Sequence, residues 1–197
     1  GEKTTQMLVK SKKSLLEADP EAANFVLEQE STLINPLRDL LEQYLTNLMQ
    51  IDLSVKQQQK AFRIKNLVHD IERIGDICCN LARGAIQKTE QELVFSSGAL
   101  ADLEQYFTHV IDTYDKALVC ISQDNCSLAK EVRLLEEKAN DLYQEFCQNH
   151  IHRVDQKICH PKSDVLFIEM LRDLERIADH ADSLCTCLQR QGNQLDQ

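Results

Sequence analysis

The stretch His69-Asp-Ile-Glu-Arg-Ile-Gly-Asp-Ile-Cys-Cys-Asn-Leu81 decides the fold, because its apolar residues recur in steps of four and three. At 100° per residue such steps place them on one face of a helix, the pattern of an amphipathic helix in a bundle. Three oxygen-bearing side chains recur every four residues on the opposite side, and we expect them to point outward. The apolar face consists of Leu67, Ile71, Ile74, Cys78 and Leu81, and the polar stripe of Glu72, Asp76 and Asn80.

The pattern occurs a second time, in Arg172-Asp-Leu-Glu-Arg-Ile-Ala-Asp-His-Ala-Asp-Ser-Leu184, and both copies contain D-[IL]-E-R-I-[GA]-D. The helices before them also correspond, with Asn35-Pro-Leu37 matching Asn140-Asp-Leu142 at a slightly different offset. Two copies of a three-helix unit explain this repeat, and we place them at residues 1–92 and 97–191.

Composition favours the same all-α class. The 197 residues include only 5 Gly and 3 Pro, too few for the turns of a sheet protein of this size. We therefore predict two similar three-helix bundles packed side by side, with the second helix bent near Pro36. The predicted helices cover residues 2–18, 20–49, 54–89, 99–122, 125–157 and 161–190.

Charge limits the partners. With 32 acidic and 22 basic residues the net charge is −10, which disfavours nucleic acid and anionic lipid surfaces. No apolar run reaches the length of a membrane span, and no signal peptide is evident, so we expect a soluble chain.

The eight cysteines in a helical chain favour reduced thiols over a disulfide scaffold. The start without an initiator Met, in helical pattern, favours a domain cut from a longer protein.

The polar stripes leave two interpretations open. They are either ordinary solvated helix faces with ion pairs, or paired carboxylates one turn apart that bind a multivalent cation through hard oxygen ligands. The second helix of each unit could add ligands, from Glu136 and Asn140 in the second copy and from the weaker Ser31 and Asn35 in the first. No E-x-x-H, G-x-S-x-G or Gly-rich phosphate loop is present, so we predict no catalytic residues and no enzyme.

The repeated D-[IL]-E-R-I-[GA]-D-x-x-x-[NS], twice in a helical chain, resembles the PhoU family of phosphate-uptake regulators, and the resemblance spans about residues 4–188. It implies two three-helix bundles whose E-x-x-x-D motifs bind multinuclear clusters of iron or zinc on the surface. One cluster would be held by Glu72, Asp76 and Asn80. The other would be held by Glu175, Asp179 and either Asp182 or Ser183, with Glu136 and Asn140 completing a site.

The resemblance further implies a regulatory binding domain in phosphate homeostasis, cytoplasmic and at the inner face of the cell membrane. Our first expectation is the cytoplasmic part of a bacterial sodium/phosphate cotransporter, with the membrane transporter as its partner in cis. The alternatives are a freestanding regulator that acts in trans on the phosphate ABC transporter and its sensor kinase, or a metal-free helical adaptor. Dimerisation stays open.

Overall fold

The computed structural model describes residues 1–158 and 161–192 of the chain. All regular structure in these ranges is helical, which confirms the all-α prediction. The elements are α1 (Glu2–Leu16), α2 (Pro20–Gln29), a π-helical turn (Glu30–Ile34), α3 (Asn35–Leu48), α4 (Val55–Glu90), α5 (Ser97–Gln123), α6 (Cys126–Asp155) and α7 (Pro161–Gly192).

Side-chain caps begin most of these helices where the sequence predicts a boundary. Asp19 accepts a hydrogen bond from the Ala22 N–H, Asn125 caps α6, and Ser54 forms a capping box with Gln57. Each cap satisfies backbone N–H groups that have no partner within the helix. Ser96 caps α5, which therefore starts two residues earlier than predicted.

The second predicted helix has its irregularity just before Pro36, at Glu30–Ile34, and not at Pro36 itself. α2 and α3 are continuous through the π-helical turn at Glu30–Ile34, and Pro36 lies in the first turn of α3. A proline ring clashes with the carbonyl four residues before it in a regular α-helix. The wider turn immediately upstream accommodates Pro36 without ending the helix.

α4 is the central helix of the first unit. Its predicted apolar face is confirmed, since Ile74, Cys78 and Leu81 are buried. The expectation that the opposite side points outward is wrong for Glu72, which is buried because the segment from α2 to α3 covers that side of α4. α1 packs along a third side, where the Ser11 hydroxyl donates a hydrogen bond to the Cys78 carbonyl.

The two units pack through antiparallel α4 and α7. His180 of α7 lies 3.1 Å from Asp70 of α4 toward one end, and Met170 of α7 lies against Gly84 of α4 toward the other. A single hydrophobic core extends through both units, so the two bundles form one body side by side. Within the described ranges no helix combines the length and apolar character needed to cross a bilayer.

Candidate metal centre

The second unit brings five of the predicted ligands together on one face. Two lie on α6 and three on α7, and we call them the second acidic patch: Glu136, Asn140, Glu175, Asp179 and Asp182. The Asn140 amide donates a hydrogen bond of 2.6 Å to Glu136 Oε1, and the Asp179 carboxyl is hydrogen-bonded to Glu136. The spacing predicted each group on its own helix, the resemblance implied that they share a site, and the packing of α6 on α7 brings them together.

Arg133 is the cation nearest this patch in the described contacts, and it lies at its edge. Its Nη1 is 3.4 Å from Asp182 Oδ2 and its Nε is 3.9 Å from Glu136 Oε2. The Arg133 side chain is more than half exposed, so its charge is well screened by water. The screened Arg133, together with Arg176, which acts on Glu175 and also pairs with Asp173, therefore faces four carboxyl groups.

Burial, and then crowding of negative charge, raise the pKa values of Glu175, Asp179 and Asp182. Burial is the main cause for each, since it penalises the charged form. Glu136 adds to the shift in all three, and for Asp179 the carboxyl–carboxyl hydrogen bond adds further. A bound cation would oppose this penalty, because positive charge favours the ionised carboxylates.

The first unit assembles a related but different group, the first acidic patch: Glu30, Asn35, Glu72 and Asp76. The Asn35 amide donates a hydrogen bond of 2.6 Å to Glu30 Oε1, the counterpart of the Asn140–Glu136 pair. Here, however, Arg38 Nη1 lies 2.5 Å from the buried Glu72 carboxylate, and Arg73 Nη1 lies 3.5 Å from Asp76 Oδ2. Burial raises the Asp76 pKa, with further contributions from Glu72 and Glu30.

Two predicted members stand apart from the first acidic patch. Asn80 is exposed and accepts a hydrogen bond from Arg83 at 3.2 Å. Ser31 is also exposed, and its hydroxyl bonds the backbone carbonyls of Leu27 and Glu28. In the second unit, Ser183 is exposed whereas Asp182 is partly buried beside Glu136, so Asp182 is the better placed of the two alternatives.

Glu30 is the residue that the sequence reasoning missed. A uniform four-residue step from Asn35 leads to Ser31, but in a π-helical turn the aligned residue is five positions away. The extra residue brings Glu30, rather than Ser31, into contact with Asn35. The available signal was the proline at position 36, which disfavours regular helical geometry just before it.

The donor chemistry of both patches is carboxylate and amide oxygen, which suits hard cations. In the described part of the chain, no three His, Cys, Asp or Glu side chains already stand at metal-binding geometry. The second acidic patch fits a cation better than the first, because the Arg38 guanidinium already neutralises Glu72 in the first. His180, the imidazole nearest by sequence, is directed to Asp70.

Comparison with known proteins identifies the family of the chain. The PhoU domain family matches residues 1–85 and 103–188, which include both copies of the motif. The chain belongs to the PhoU family.

Individual relatives agree. Over 83% of its own length, the chain is 23% identical to the phosphate-specific transport system accessory protein PhoU homolog 1 of Thermotoga maritima. Over 73% of its own length, it is 26% identical to the phosphate-specific transport system accessory protein PhoU homolog of Synechocystis. These alignments span 69% and 63% of the two relatives.

Solved structures share the fold. The crystal structure of PhoU from Pseudomonas aeruginosa has a TM-score of 0.86 at 21% identity, covering 94% of this chain and 88% of that one. The phosphate transport system regulatory protein PhoU from Streptococcus pneumoniae has a TM-score of 0.83 at 20% identity, covering 95% and 87%. The predicted pair of three-helix bundles is therefore confirmed.

Proposed function

We propose that this PhoU-family chain is a non-enzymatic, metal-binding regulatory domain in phosphate transport. The convergence of four carboxyl groups in the second acidic patch carries the proposal, since these groups repel one another and gain from a shared cation. The named relatives support the phosphate-transport role, since they are accessory proteins of phosphate-specific transport.

In this proposal the second acidic patch holds iron or zinc, with Glu136, Glu175, Asp179 and Asp182 as carboxylate ligands and Asn140 as an amide ligand. The bound metal supplies positive charge rather than redox or hydrolytic chemistry. The first acidic patch binds metal more weakly, because a cation there has to displace Arg38 from Glu72. The predicted ligands Glu72 and Asp76 are therefore secondary to those of α6 and α7.

Regulation follows from the charge of this surface. Metal loading converts a strongly negative face into a nearly neutral one, while the helices below it stay packed. We propose that this face docks on a phosphate transporter and that phosphate status changes the docking. A rigid scaffold of this kind needs no catalytic group, and the buried Cys78 and Cys79 thiols, with raised pKa values, are poor nucleophiles.

The partner context that we favour is a sodium/phosphate cotransporter of which this chain is the cytoplasmic part, at the inner membrane face. The alternative is a freestanding PhoU-type regulator of the phosphate ABC transporter and its sensor kinase. Reading the gene upstream of residue 1 separates them. Several apolar spans upstream support the cotransporter, and an initiator codon directly before Glu2 excludes it.

Elemental analysis of protein purified without chelator or affinity nickel tests the metal proposal. We expect stoichiometric iron, zinc or manganese in the wild type and its loss in the double variant Glu175→Gln, Asp179→Asn. The matched control is Glu72→Gln, Asp76→Asn, which changes the equivalent motif positions and should retain most of the metal. Absence of stoichiometric metal, or equal retention in both double variants, contradicts the proposal.

A further inference from the structure

A polar cleft lies at the seam between α4 and α7, where the two units meet. Its volume is about 350 Å³, and it is lined by residues 80–87 of α4 and residues 166–176 of α7. Gly84 of α4 lies against α7, where an added Cβ would come within 2.8 Å of Met170 Cε, so the two helices approach closely there. Longer polar side chains on both helices enclose a space of the size that small ligands occupy.

The lining of this cleft is rich in side-chain N–H donors: Arg83, Arg172, Arg176, Asn80 and Gln87. Elsewhere in the described part of the chain, every arginine side chain lies within ion-pair distance of a carboxylate. In the cleft, Arg176 pairs with Asp173, but Arg83 and Arg172 have no carboxylate partner among the described residues. Arg83 instead donates a hydrogen bond of 3.2 Å to Asn80 Oδ1, and Arg172 lies beside the Tyr143 hydroxyl.

These two arginines are unusual in a chain whose net charge is −10, since carboxylate partners are abundant. Like charges brought to one cleft repel each other and gain from a shared anion. A guanidinium offers several N–H donors in a planar fork, the geometry that matches the oxygens of a carboxylate or a phosphoryl group. The cleft therefore suits an oxyanion that accepts hydrogen bonds from both helices.

Two carboxylates in the same lining determine which oxyanion fits. Glu169 and Asp173 of α7 stand beside the arginines. An ionised carboxylate is only a hydrogen-bond acceptor, so it repels a fully ionised anion such as sulfate. It accepts a hydrogen bond, however, from an oxyanion that keeps a proton. Hydrogen phosphate combines negative charge with one O–H group near neutral pH, so it matches both the arginines and the carboxylates.

The internal repeat shows that the cleft arginine is not needed to join the two helices. The motif offset pairs Arg83 with Thr186, whose hydroxyl bonds a carbonyl of its own helix. It also pairs Asp173 with Asp70, which binds His180 directly across the seam. The corresponding positions therefore hold α4 and α7 together without an arginine, and a structural role common to both copies does not account for Arg83.

We propose that the cleft between α4 and α7 is a binding site for free hydrogen phosphate, held by Arg83 and Arg172 from opposite sides. Asn80 Oδ1 accepts from Arg83, which leaves the Asn80 Nδ2 group to donate to the anion together with the Gln87 amide. The carboxylates of α7 accept the phosphate proton. None of the donors belongs to either acidic patch, so the inference goes beyond the metal proposal and does not rest on it.

Calorimetric titration of the metal-free chain with sodium phosphate tests the proposal. The protein is stripped with EDTA, dialysed into HEPES buffer and titrated at constant ionic strength, so that neither bound metal nor a change in screening accounts for binding. We expect saturable binding, with a Kd at least about tenfold higher in the double variant Arg83→Met, Arg172→Met. Both side chains are exposed, so circular dichroism should show an unchanged fold.

The matched control is Arg63→Met, Arg133→Met, which removes the same charge from arginines outside the cleft. Its Kd for phosphate should stay within about twofold of the wild-type value, because the general field of the protein changes equally in the two double variants. Absence of saturable phosphate binding to the wild type overturns the proposal. An equal rise in Kd for the two double variants also overturns it.

Two other anions test the role of the phosphate proton. Sulfate and glycerol 3-phosphate present a similar tetrahedral group, but at about pH 7.5 neither keeps a proton on it. We expect both to bind the wild type at least about tenfold more weakly than free phosphate. Asp173→Asn should narrow the difference for sulfate, because an amide can donate to it. Wild-type binding of either anion as tightly as phosphate contradicts the proposed site.

The outcomes of this experiment and of elemental analysis are separable. Phosphate binding to a chain that holds no stoichiometric metal supports the cleft and contradicts the metal proposal. Stoichiometric metal without phosphate binding to the metal-free chain does the reverse. If phosphate binds only to metal-loaded protein, and equally well in Arg83→Met, Arg172→Met, then the metal is its ligand and the cleft proposal fails.

Discussion

The first and second acidic patches contain the same E-x-x-x-D motif, yet they balance its charge in different ways. In the first, Arg38 from the neighbouring helix reaches the buried Glu72. In the second, the neighbouring helix contributes Glu136, the counterpart of Glu30 in the first, but its arginine, Arg133, is exposed and lies at the edge. The motif alone therefore does not determine a cation site, since the facing helix decides whether a guanidinium reaches the buried carboxylates.

Removing Arg38 tests this contrast with the largest expected effect. Arg38→Met leaves the buried Glu72 with only the half-exposed Arg73, whose Nε lies 4.0 Å from Glu72 Oε2. We expect a loss of about 2–3 kcal/mol in the free energy of unfolding, below the full value for a completely buried pair. Urea unfolding in EDTA measures the loss, and in a parallel experiment without EDTA added manganese should restore part of it by occupying the vacated position. Arg133→Met is the matched control and should cost under about 0.5 kcal/mol. Equal losses for the two variants contradict the contrast.

The pH dependence of stability sharpens the same comparison. In metal-free protein the raised pKa values of Glu175, Asp179 and Asp182 mean that the folded state binds protons more tightly than the unfolded chain. Their contribution to stability therefore appears as pH falls through the raised values and is complete below the ordinary values of 3.8 for Asp and 4.5 for Glu. We expect about 1 kcal/mol in total, because the groups are partly exposed.

The measurement is the difference in unfolding free energy between wild type and the Glu175→Gln, Asp179→Asn variant, in EDTA from pH 7 to pH 4. Taking the difference between the two proteins removes the effect of His150. Burial lowers the pKa of His150, so its contribution to stability declines as pH falls through its ordinary value of 6.5. The pKa of Asp19 is lowered, so its contribution to stability is constant above its ordinary value of 3.8 and is lost only below that value. Parallel pH profiles for wild type and variant would contradict the prediction.

Removing a contact between the two units should have a smaller effect on stability. His180 in α7 bonds Asp70 in α4, whereas Ile77 occupies the position of His180 in the first copy. Asp70→Asn and His180→Ala should each cost about 0.5–1.5 kcal/mol, and their double variant should cost less than the sum. A double-mutant cycle measured by urea unfolding checks this, and additive losses would show that the pair contributes nothing.

The smallest expected effect is on the pKa of Asp76 and tests the assignment of Glu30, the residue that the sequence prediction missed. Ser31→Glu adds a carboxylate at the position that uniform helical spacing selects, and we expect no added metal affinity because this side chain is exposed and outside the patch. Glu30→Gln removes a carboxylate that raises the pKa of Asp76, so the Asp76 pKa should fall. NMR titration of Asp76 measures the shift, and a larger response to Ser31→Glu than to Glu30→Gln would reverse the assignment.

Much of the fold could be predicted because it depends on local chemistry. Helix starts followed from capping residues such as Ser54 and Asn125, and the buried face of α4 followed from the period of its apolar residues. The second acidic patch was also predictable, since Glu136 and Asn140 lie on a regular helix whose geometry a uniform wheel describes correctly.

The first acidic patch could not be predicted in the same way. The burial of Glu72 and its pairing with Arg38 depend on how α3 crosses α4, which no spacing within α4 reveals. The position of Glu30 depends on a π-helical turn, which changes the phase of every residue before it. Asn80 follows the period of the stripe, but Arg83 is its hydrogen-bond partner.

The π-helical turn has one more consequence, which concerns descent. Glu30 and Asn35 are five residues apart and Glu136 and Asn140 are four apart, yet both pairs make the same 2.6 Å hydrogen bond. If the two halves descend from a duplicated unit, a single-codon insertion or deletion separates them here. The wide turn accommodates the extra residue inside a helix, so the paired side chains make the same contact although their spacing in sequence differs.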